Sequence, residues 1–203
     1  MKKLLLVLAA LSLFATAAYA QYSEVGIYTS PDGNPANTSY NGAAGPLTLY
    51  AVVMNPRNLH TGSPDSNVES AIQTLGGFEF KLILPSNGTV FMTGQTYPAG
   101  TTNFLSPPNF LAGCNIPVVN GAAVCVTLNL YAVAQIPAGI FLSPVDQVPS
   151  IPGSLAITDF ADDFRLNPAF PASGSFADPV FGLWTNVVDA QDASWGQVKS
   201  LFR

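Results

Sequence analysis

The chain carries few side chains that could perform chemistry together. Its single histidine, His60, lies in a polar loop with no second histidine or cysteine beside it, so a zinc site or a serine–histidine–aspartate triad has no partners there. The three glutamates are Glu24 near the start of the expected mature chain, Glu69 in a polar loop and Glu79 within a strand. These positions do not suggest the paired carboxylates that hydrolyse glycosides. We therefore expect no catalytic residue and no enzyme activity.

An acidic cluster late in the chain is the candidate metal site. Asp159, Asp162 and Asp163 lie close together in sequence, with Asn167 nearby. Calcium prefers carboxylate and amide oxygens, but this spacing matches no EF-hand loop. The sequence thus favours a solvated loop, with calcium as the one ion that it could hold and no other cofactor.

Two cysteines, Cys114 and Cys125, offer redox chemistry. An even pair in an exported chain most simply forms one disulfide. Alternation along the strand from Val124 to Val133 places Cys125 on the outer face. Direct pairing of the cysteines across a hairpin requires the four-residue loop Val118–Gly121, because a two-residue turn would leave them diagonal and too far apart. We predict a disulfide on the outer face, beside that wider loop.

Two further features concern glycans. Asn37-Thr38-Ser39 and Asn87-Gly88-Thr89 match the acceptor pattern for N-glycosylation, which makes Asn37 and Asn87 candidate modification sites. Tyrosines and tryptophans could stack on sugars if several of them shared one outer face. Tyr131 is the aromatic residue that strand alternation places outward.

The N-terminus indicates export. Lys2 and Lys3 precede an apolar run from Leu4 to Phe14, and Ala18-Tyr19-Ala20 is typical of a cleavage site. Residues 1–20 are therefore predicted to be a signal peptide, and the protein to be secreted, extracellular or at the cell surface, with the periplasm as an alternative. No later stretch approaches the roughly 20 apolar residues of a spanning helix, so no membrane span is expected.

Charge is scarce along the whole chain. Charged residues make up 9% of it, against about a quarter in ordinary soluble domains. Without Lys2 and Lys3, five basic residues face twelve acidic ones, which is a net side-chain charge of −7. No basic patch exists, so nucleic-acid binding is not expected. The low charge fits either a secreted protein with a neutral polar surface or a subunit covered by copies of itself.

Strand patterns separated by Pro, Gly and Asn clusters dominate the expected mature chain. The clearest is Phe78–Leu84, which Gly76-Gly77 opens and in which Glu79 and Lys81 share the solvent face as an ion pair. Without alternating helices, these patterns predict an antiparallel β-sandwich over residues 21–188. The other predicted strands are 25–29, 47–54, 89–93, 124–133, 140–142, 155–158 and 180–187, and the connectors include 97–110, 143–153 and 167–179.

The C-terminal residues 189–203 have a helical pattern instead. Ser194 and Gln197 form a capping box. A helix this short needs a docking surface, either on its own domain or on a neighbour. The residues predicted to make tail contacts lie on one side of that helix: Trp195, Val198, Leu201 and Phe202.

The order of elements resembles the jelly-roll sandwich of cohesins and of related carbohydrate-binding modules over about residues 25–160. The resemblance rests on the Leu47–Pro56 strand, the run Gly77-Phe78-Glu79-Phe80-Lys81-Leu82, the Gly121–Val124 entry into a long strand and the Ile140–Ser143 strand. It implies an all-β jelly roll and no more. The cysteine pair and the helical tail depart from the cohesin pattern, so dockerin binding is not carried over.

These observations favour a secreted, non-catalytic structural or interaction protein. We expect it to assemble into a fibre or surface layer through strand and tail contacts, with copies of itself or another surface protein as partner. Edge strands or the segment Gln21–Thr29 would supply the strand pairing. The alternative is an extracellular glycan-binding module.

Overall fold

The computed structural model describes residues 23–59 and 70–185, which form an all-β structure as predicted. Within these residues the only helical element is a short 3-10 turn at Pro35–Asn37. The predicted signal peptide and the predicted helical tail lie outside the described residues. The strands are β1 (Ser23–Tyr28), β2 (Ser39–Tyr40), β3 (Gly45–Met54), β4 (Arg57–Asn58), β5 (Ser70–Ala71), β6 (Thr74–Ile83), β7 (Val90–Thr96), β8 (Thr102–Asn103), β9 (Asn109–Pro117), β10 (Ala122–Ala132), β11 (Ala138–Ser143), β12 (Leu155–Asp159), β13 (Arg165–Pro171) and β14 (Phe181–Leu183).

Twelve of these strands belong to one sheet, and β4 and β5 form a separate ribbon. The main path runs β2-β14-β11-β6-β12-β13-β1-β3-β10-β7. Strand β6 is the branch point, because β9 pairs along one of its sides while β12 and then β11 pair along the other. Strand β8 extends the branch by pairing with β9.

The sheet is mixed, which corrects the antiparallel prediction. Strand β1 pairs in parallel with β13, and β14 pairs in parallel with β2. Parallel neighbours need a long connection. Nearly the whole described chain separates β1 from β13, so no local turn could have signalled this pairing.

The inward side of the predicted alternation along β6 is confirmed, whereas Glu79 on the predicted solvent side is only 3% exposed. Phe78, Phe80 and Leu82 are buried in the main hydrophobic cluster. Phe80 stacks on Phe110 of β9 with ring centroids 5.0 Å apart. Residues of β3 and β10, among them Leu128, belong to the same cluster. One core therefore joins strands from both halves of the sheet path.

The prediction for the cysteines is wrong in two respects, and a β-bulge explains the first. The register between β10 and β3 shifts between Val124 and Val126, which makes Cys125 an extra residue on its strand. Such a bulge reverses the inward and outward alternation before it. Cys125 consequently lies in the core with no exposed surface, and Val124 lies outside it.

The second correction concerns pairing. The connection between β9 and β10 closes with an isolated bridge between Val119 and Ala122, around a two-residue turn of Asn120 and Gly121 that both have positive φ. Beyond the turn, β9 pairs with β6 and β10 pairs with β3. The cysteines are not cross-strand neighbours, and both thiols are free and buried.

Candidate functional site

A groove on the face of the sheet opposite the core is the leading candidate site. It encloses about 270 Å³ where β6, β9 and β12 lie side by side. Its lining is almost entirely apolar. We call it the glycine groove after its floor of Gly76, Gly77 and Gly113; its walls include Phe104, Phe164 and Leu166.

The floor requires glycine at two positions of β6 because neighbouring backbone approaches both of them closely. A Cβ at Gly77 would lie 2.8 Å from the carbonyl oxygen of Ala112, and one at Gly76 would lie 2.9 Å from the backbone nitrogen of Phe160. Real Cβ atoms do not approach backbone so closely. The sequence placed Gly76-Gly77 at the opening of the strand, whereas both residues lie within β6.

Aromatic rings form the rim of the groove. Phe104 is 65% exposed and Phe164 is 51% exposed. Phe164 packs edge-to-face against Phe160, with ring centroids 5.3 Å apart. Clustered exposed rings beside an apolar depression are typical of a binding surface rather than of ordinary solvent-facing surface.

One polar group in the groove has no partner. The hydroxyl oxygen of Thr158 is buried and makes no hydrogen bond with any described residue. It would lie 3.0 Å from a Cβ on Gly77. A buried hydroxyl without a partner costs free energy.

Glu79 closes one side of the groove, and its partner is not Lys81. Its carboxylate accepts hydrogen bonds from the backbone nitrogen of Ser150, at 2.9 Å, and from the Ser150 hydroxyl. Lys81 instead pairs with Asp146 at 2.7 Å. The predicted Glu79–Lys81 ion pair is therefore replaced by two separate links to the 143–153 loop. Donation from Lys81 lowers the pKa of Asp146.

Two of the three candidate calcium ligands have separate partners, and the third is exposed. Asp159 accepts from Asn58 Nδ2 at 2.6 Å and from the backbone nitrogen of Ala161 at 3.0 Å. Asp162 forms an ion pair with Arg165 at 3.2 Å, and Asp163 lies exposed in the same turn. Within residues 23–59 and 70–185, no group of three or more His, Cys, Asp or Glu side chains could hold a metal ion.

Asp159 belongs to a buried polar network. Asn167 Nδ2 donates to Asn58 Oδ1 at 2.9 Å, while Asn167 Oδ1 accepts from the backbone nitrogen of Leu59 at 2.9 Å. The network attaches residues 57–59 to β12 and β13. We call it the asparagine network; its side chains have partners within the chain, so it offers no vacant site.

Burial raises the pKa of both thiols. Burial raises the pKa of Cys114 to about 12, with a small opposing effect from a backbone hydrogen bond. Burial raises the pKa of Cys125 well above its usual value, and the nearby Cys114 raises it further. Because the thiolate is the reactive form, burial disfavours nucleophilic chemistry at both cysteines.

The second exposed feature is the free edge of β7. This strand ends the sheet path, and among residues 23–59 and 70–185 it pairs only with β10. Its outer face carries Phe91, which stacks on Tyr131 with ring centroids 5.7 Å apart. Tyr131 is exposed, as its alternation predicted.

The two candidate glycosylation sites lie apart from both features. Asn87 is exposed in a turn and accepts from the Thr89 backbone, whereas Asn37 is half-buried and donates to Ser30. His60 and Glu69 lie outside the described residues, as do Trp195, Val198, Leu201 and Phe202 of the tail.

Comparison with known proteins found no counterpart: no protein-family model, no curated protein and no solved structure matches the chain. None of the helices within the described residues has the length and apolar character needed to cross a membrane.

Proposed function

We propose that this chain is a secreted, non-catalytic structural protein that assembles with copies of itself into an extracellular fibre or surface layer. Pairing between strand edges, supported by tail contacts, holds the copies together. The observation that carries the proposal is the edge of β7, which is seven residues long and contains neither charge nor proline.

Natural proteins usually protect such an edge. Short strands, charged residues, prolines and bulges prevent pairing with another chain. The other outer strands, β2 and β8, are only two residues long. Strand β7 has a register shift near Gly94 but none of the other protections. An edge of this length with only that one protection suits strand addition by a second copy.

The segment Gln21–Thr29 is the weaker of the two expected pairing elements. Its described part forms β1, which pairs with β13 on one side and with β3 on the other. Strand β3 occupies one edge along Glu24–Tyr28 and β13 occupies the other at Ser23–Val25, which leaves at most the short stretch Gly26–Tyr28 for a neighbour. We therefore assign intersubunit pairing to β7.

We further infer that the sheet folds over into the two layers of a jelly-roll sandwich, as the resemblance to cohesins and carbohydrate-binding modules implies. One buried cluster contains residues of β3 and β10 together with residues of β6 and β9. Cys114 on β9 also affects the pKa of Cys125 on β10, although these positions are not paired. Facing layers account for both observations.

A charged side chain introduced on strand β7 tests the proposal. A Cβ built at Gly94 meets nothing within 4 Å, so both Gly94→Lys and Gly94→Thr should fold. Lysines on two approaching edges repel each other, whereas threonine favours strands. With purified residues 21–203, we expect negative-stain microscopy to show regular fibres or layers for wild type and Gly94→Thr, and none for Gly94→Lys. The proposal would be refuted if the wild-type protein appeared as dispersed particles. It would also be refuted if the Gly94→Lys variant still formed fibres.

The stacked Phe91–Tyr131 pair favours glycan binding as a second candidate. Exposed aromatic rings on a sheet face can stack on sugars. In that case Tyr131→Ala would abolish binding across a polysaccharide panel, measured by calorimetry, while Val119→Ala, which trims an exposed side chain in the β9–β10 turn, would not. No binding by the wild-type protein would eliminate this candidate.

A further inference from the structure

We propose that strand β7 of one copy pairs antiparallel with β7 of a second copy about a two-fold axis, so that a dimer is the repeating unit of the assembly. The inference rests on the proposed self-assembly and names the strand that adds to the β7 edge. A two-fold contact uses the same surface on both copies and closes after two subunits. The tail contacts of the proposed function would then join one dimer to the next.

A second copy offers one matching edge. Among the described strands, β7 alone is longer than two residues and has a single pairing partner. It also contains no charged residue. Self-pairing brings copies of the same few residues close together, and like charges placed opposite each other destabilise a strand pair. The β7 strand carries no such obstacle to pairing with its own copy.

The pairing with β10 shows which side of the sheet each β7 residue faces, because residues directly opposite each other share a face. Three residues lie opposite core residues of β10 and therefore point inward: Val90, Met92 and Gln95. Three lie opposite residues on the outer face of β10: Phe91, Gly94 and Thr96. Thr93 is the extra residue at the register shift, and it is exposed.

These faces select one register for the self-paired strand. A register is suitable only if inward residues lie opposite inward residues, since a slip of one residue exchanges the faces. Along the whole strand this holds when Phe91 lies opposite Thr96 and Met92 lies opposite Gln95. The register shifts of the two copies then face each other at the axis, where Gly94 leaves room. An aromatic ring opposite a β-branched residue is a favourable cross-strand pair.

The layers favour the antiparallel arrangement over a parallel one. The antiparallel axis is perpendicular to the sheet, so the outer faces of both copies stay on the same side. The stacked Phe91–Tyr131 pairs then lie on one continuous surface. A two-fold axis along the strands would instead bring the outer face of one copy beside the core face of the other.

Disulfide crosslinking of introduced cysteines tests the register. Gly94→Cys should form a covalent dimer, because its two copies meet at the axis and a Cβ there has nothing within 4 Å. Thr96→Cys alone should not crosslink, since its two copies lie about 13–17 Å apart along the strands. A mixture of Thr96→Cys with Phe91→Cys should form a covalent heterodimer, because these positions lie opposite each other.

The measurement is a non-reducing denaturing gel. Purified residues 21–203 are oxidised with copper phenanthroline under the conditions in which microscopy is performed. Wild type is the control and should remain monomeric on the gel, because both native thiols are buried. Reductant should remove the dimer band of the variants.

Two results would overturn the inference. If neither Gly94→Cys nor the mixture formed a dimer, β7 would pair with another segment or another protein. If Thr96→Cys crosslinked alone as well as Gly94→Cys, the strands would pair in parallel.

Failure of this inference is distinguishable from failure of the proposed function. Wild-type fibres that Gly94→Lys abolishes, without any cysteine crosslink, would reject the two-fold pairing alone. Crosslinked Gly94→Cys dimers without wild-type fibres would reject the fibre and retain the pairing.

Discussion

The last two residues of β12 occupy opposite kinds of surroundings. Asp159 lies in the asparagine network, where its carboxylate accepts bonds from Asn58 and from the backbone of Ala161. Thr158 lies in the glycine groove, where its hydroxyl has no partner among the described residues. A register shift between the two residues separates these regions.

The difference separates stability from binding. A buried polar network whose members have partners stabilises a fold and offers nothing to a ligand. An apolar groove with exposed aromatic rings at its rim contributes little to stability and is typical of a binding surface. Substitutions should therefore affect unfolding in the first region and association in the second.

The largest effect on stability should come from Asn167→Ala. It leaves the Leu59 N–H and Asn58 Oδ1 without their partner, so the free energy of unfolding should fall by about 2–4 kcal/mol. Urea denaturation measures this change. Asn115→Ala, at an exposed position on β9, is the matched control and should change little. If the two variants had equal free energies of unfolding, the asparagine network would not be a special source of stability.

Glu79→Ala should have the next largest effect, since Glu79 is only 3% exposed and links the groove to the loop above it. The Ser150 N–H and hydroxyl would lose their acceptor, at a cost of about 1–3 kcal/mol. Hydrogen exchange at the Ser150 amide should also accelerate. Glu79→Gln keeps an acceptor and should lose less; an equal loss would show that the hydrogen bonds are not the cause.

Phe104→Ser should scarcely alter stability, because surface changes usually stay within about 0.5 kcal/mol. It should nevertheless reduce fluorescence of a hydrophobic dye that binds the groove. Val119→Ser also removes an exposed apolar side chain but should leave dye binding unchanged. A strong loss of stability in Phe104→Ser would mean that the ring belongs to the core rather than to a binding surface.

The smallest effect concerns the exposed pair Lys81–Asp146. Donation from Lys81 lowers the pKa of Asp146 below its ordinary 3.8. A lowered folded-state pKa stabilises the fold above the unfolded-state value, and this contribution disappears as pH falls through the folded-state pKa. The melting temperatures of wild type and Lys81→Met should differ slightly at pH 7 and converge below pH 3.8. If the difference in melting temperature stayed the same at every pH, the Asp146 carboxylate would not be the source of the stabilisation.

Much of the strand content could be predicted, but not its arrangement. The strands near Phe78–Leu84 and Leu47–Met54 were expected close to their observed positions, because alternation and turn residues are local signals. Strand β13 was expected to be a connector, since it contains Pro168 and Pro171. Its pairing with both β12 and β1 overrides that local signal.

The groove could not be predicted because its parts are distant in sequence. Gly76-Gly77 and Gly113 meet only after β6 pairs with β9, and the Phe164 turn joins them only after β12 pairs with β6. A glycine pair within a strand was the one available signal, since glycine there often marks a close backbone approach or an open surface.

The sequence by itself determined the all-β character and the inward side of β6, because a two-residue period acts on each strand independently. Tertiary structure decided the rest. The register between β10 and β3 brought Cys125 into the core, and contacts between distant strands created the parallel β1–β13 pair and the groove. The physical reason is that alternation specifies which side chains share a face, whereas register and strand order depend on the partner strands.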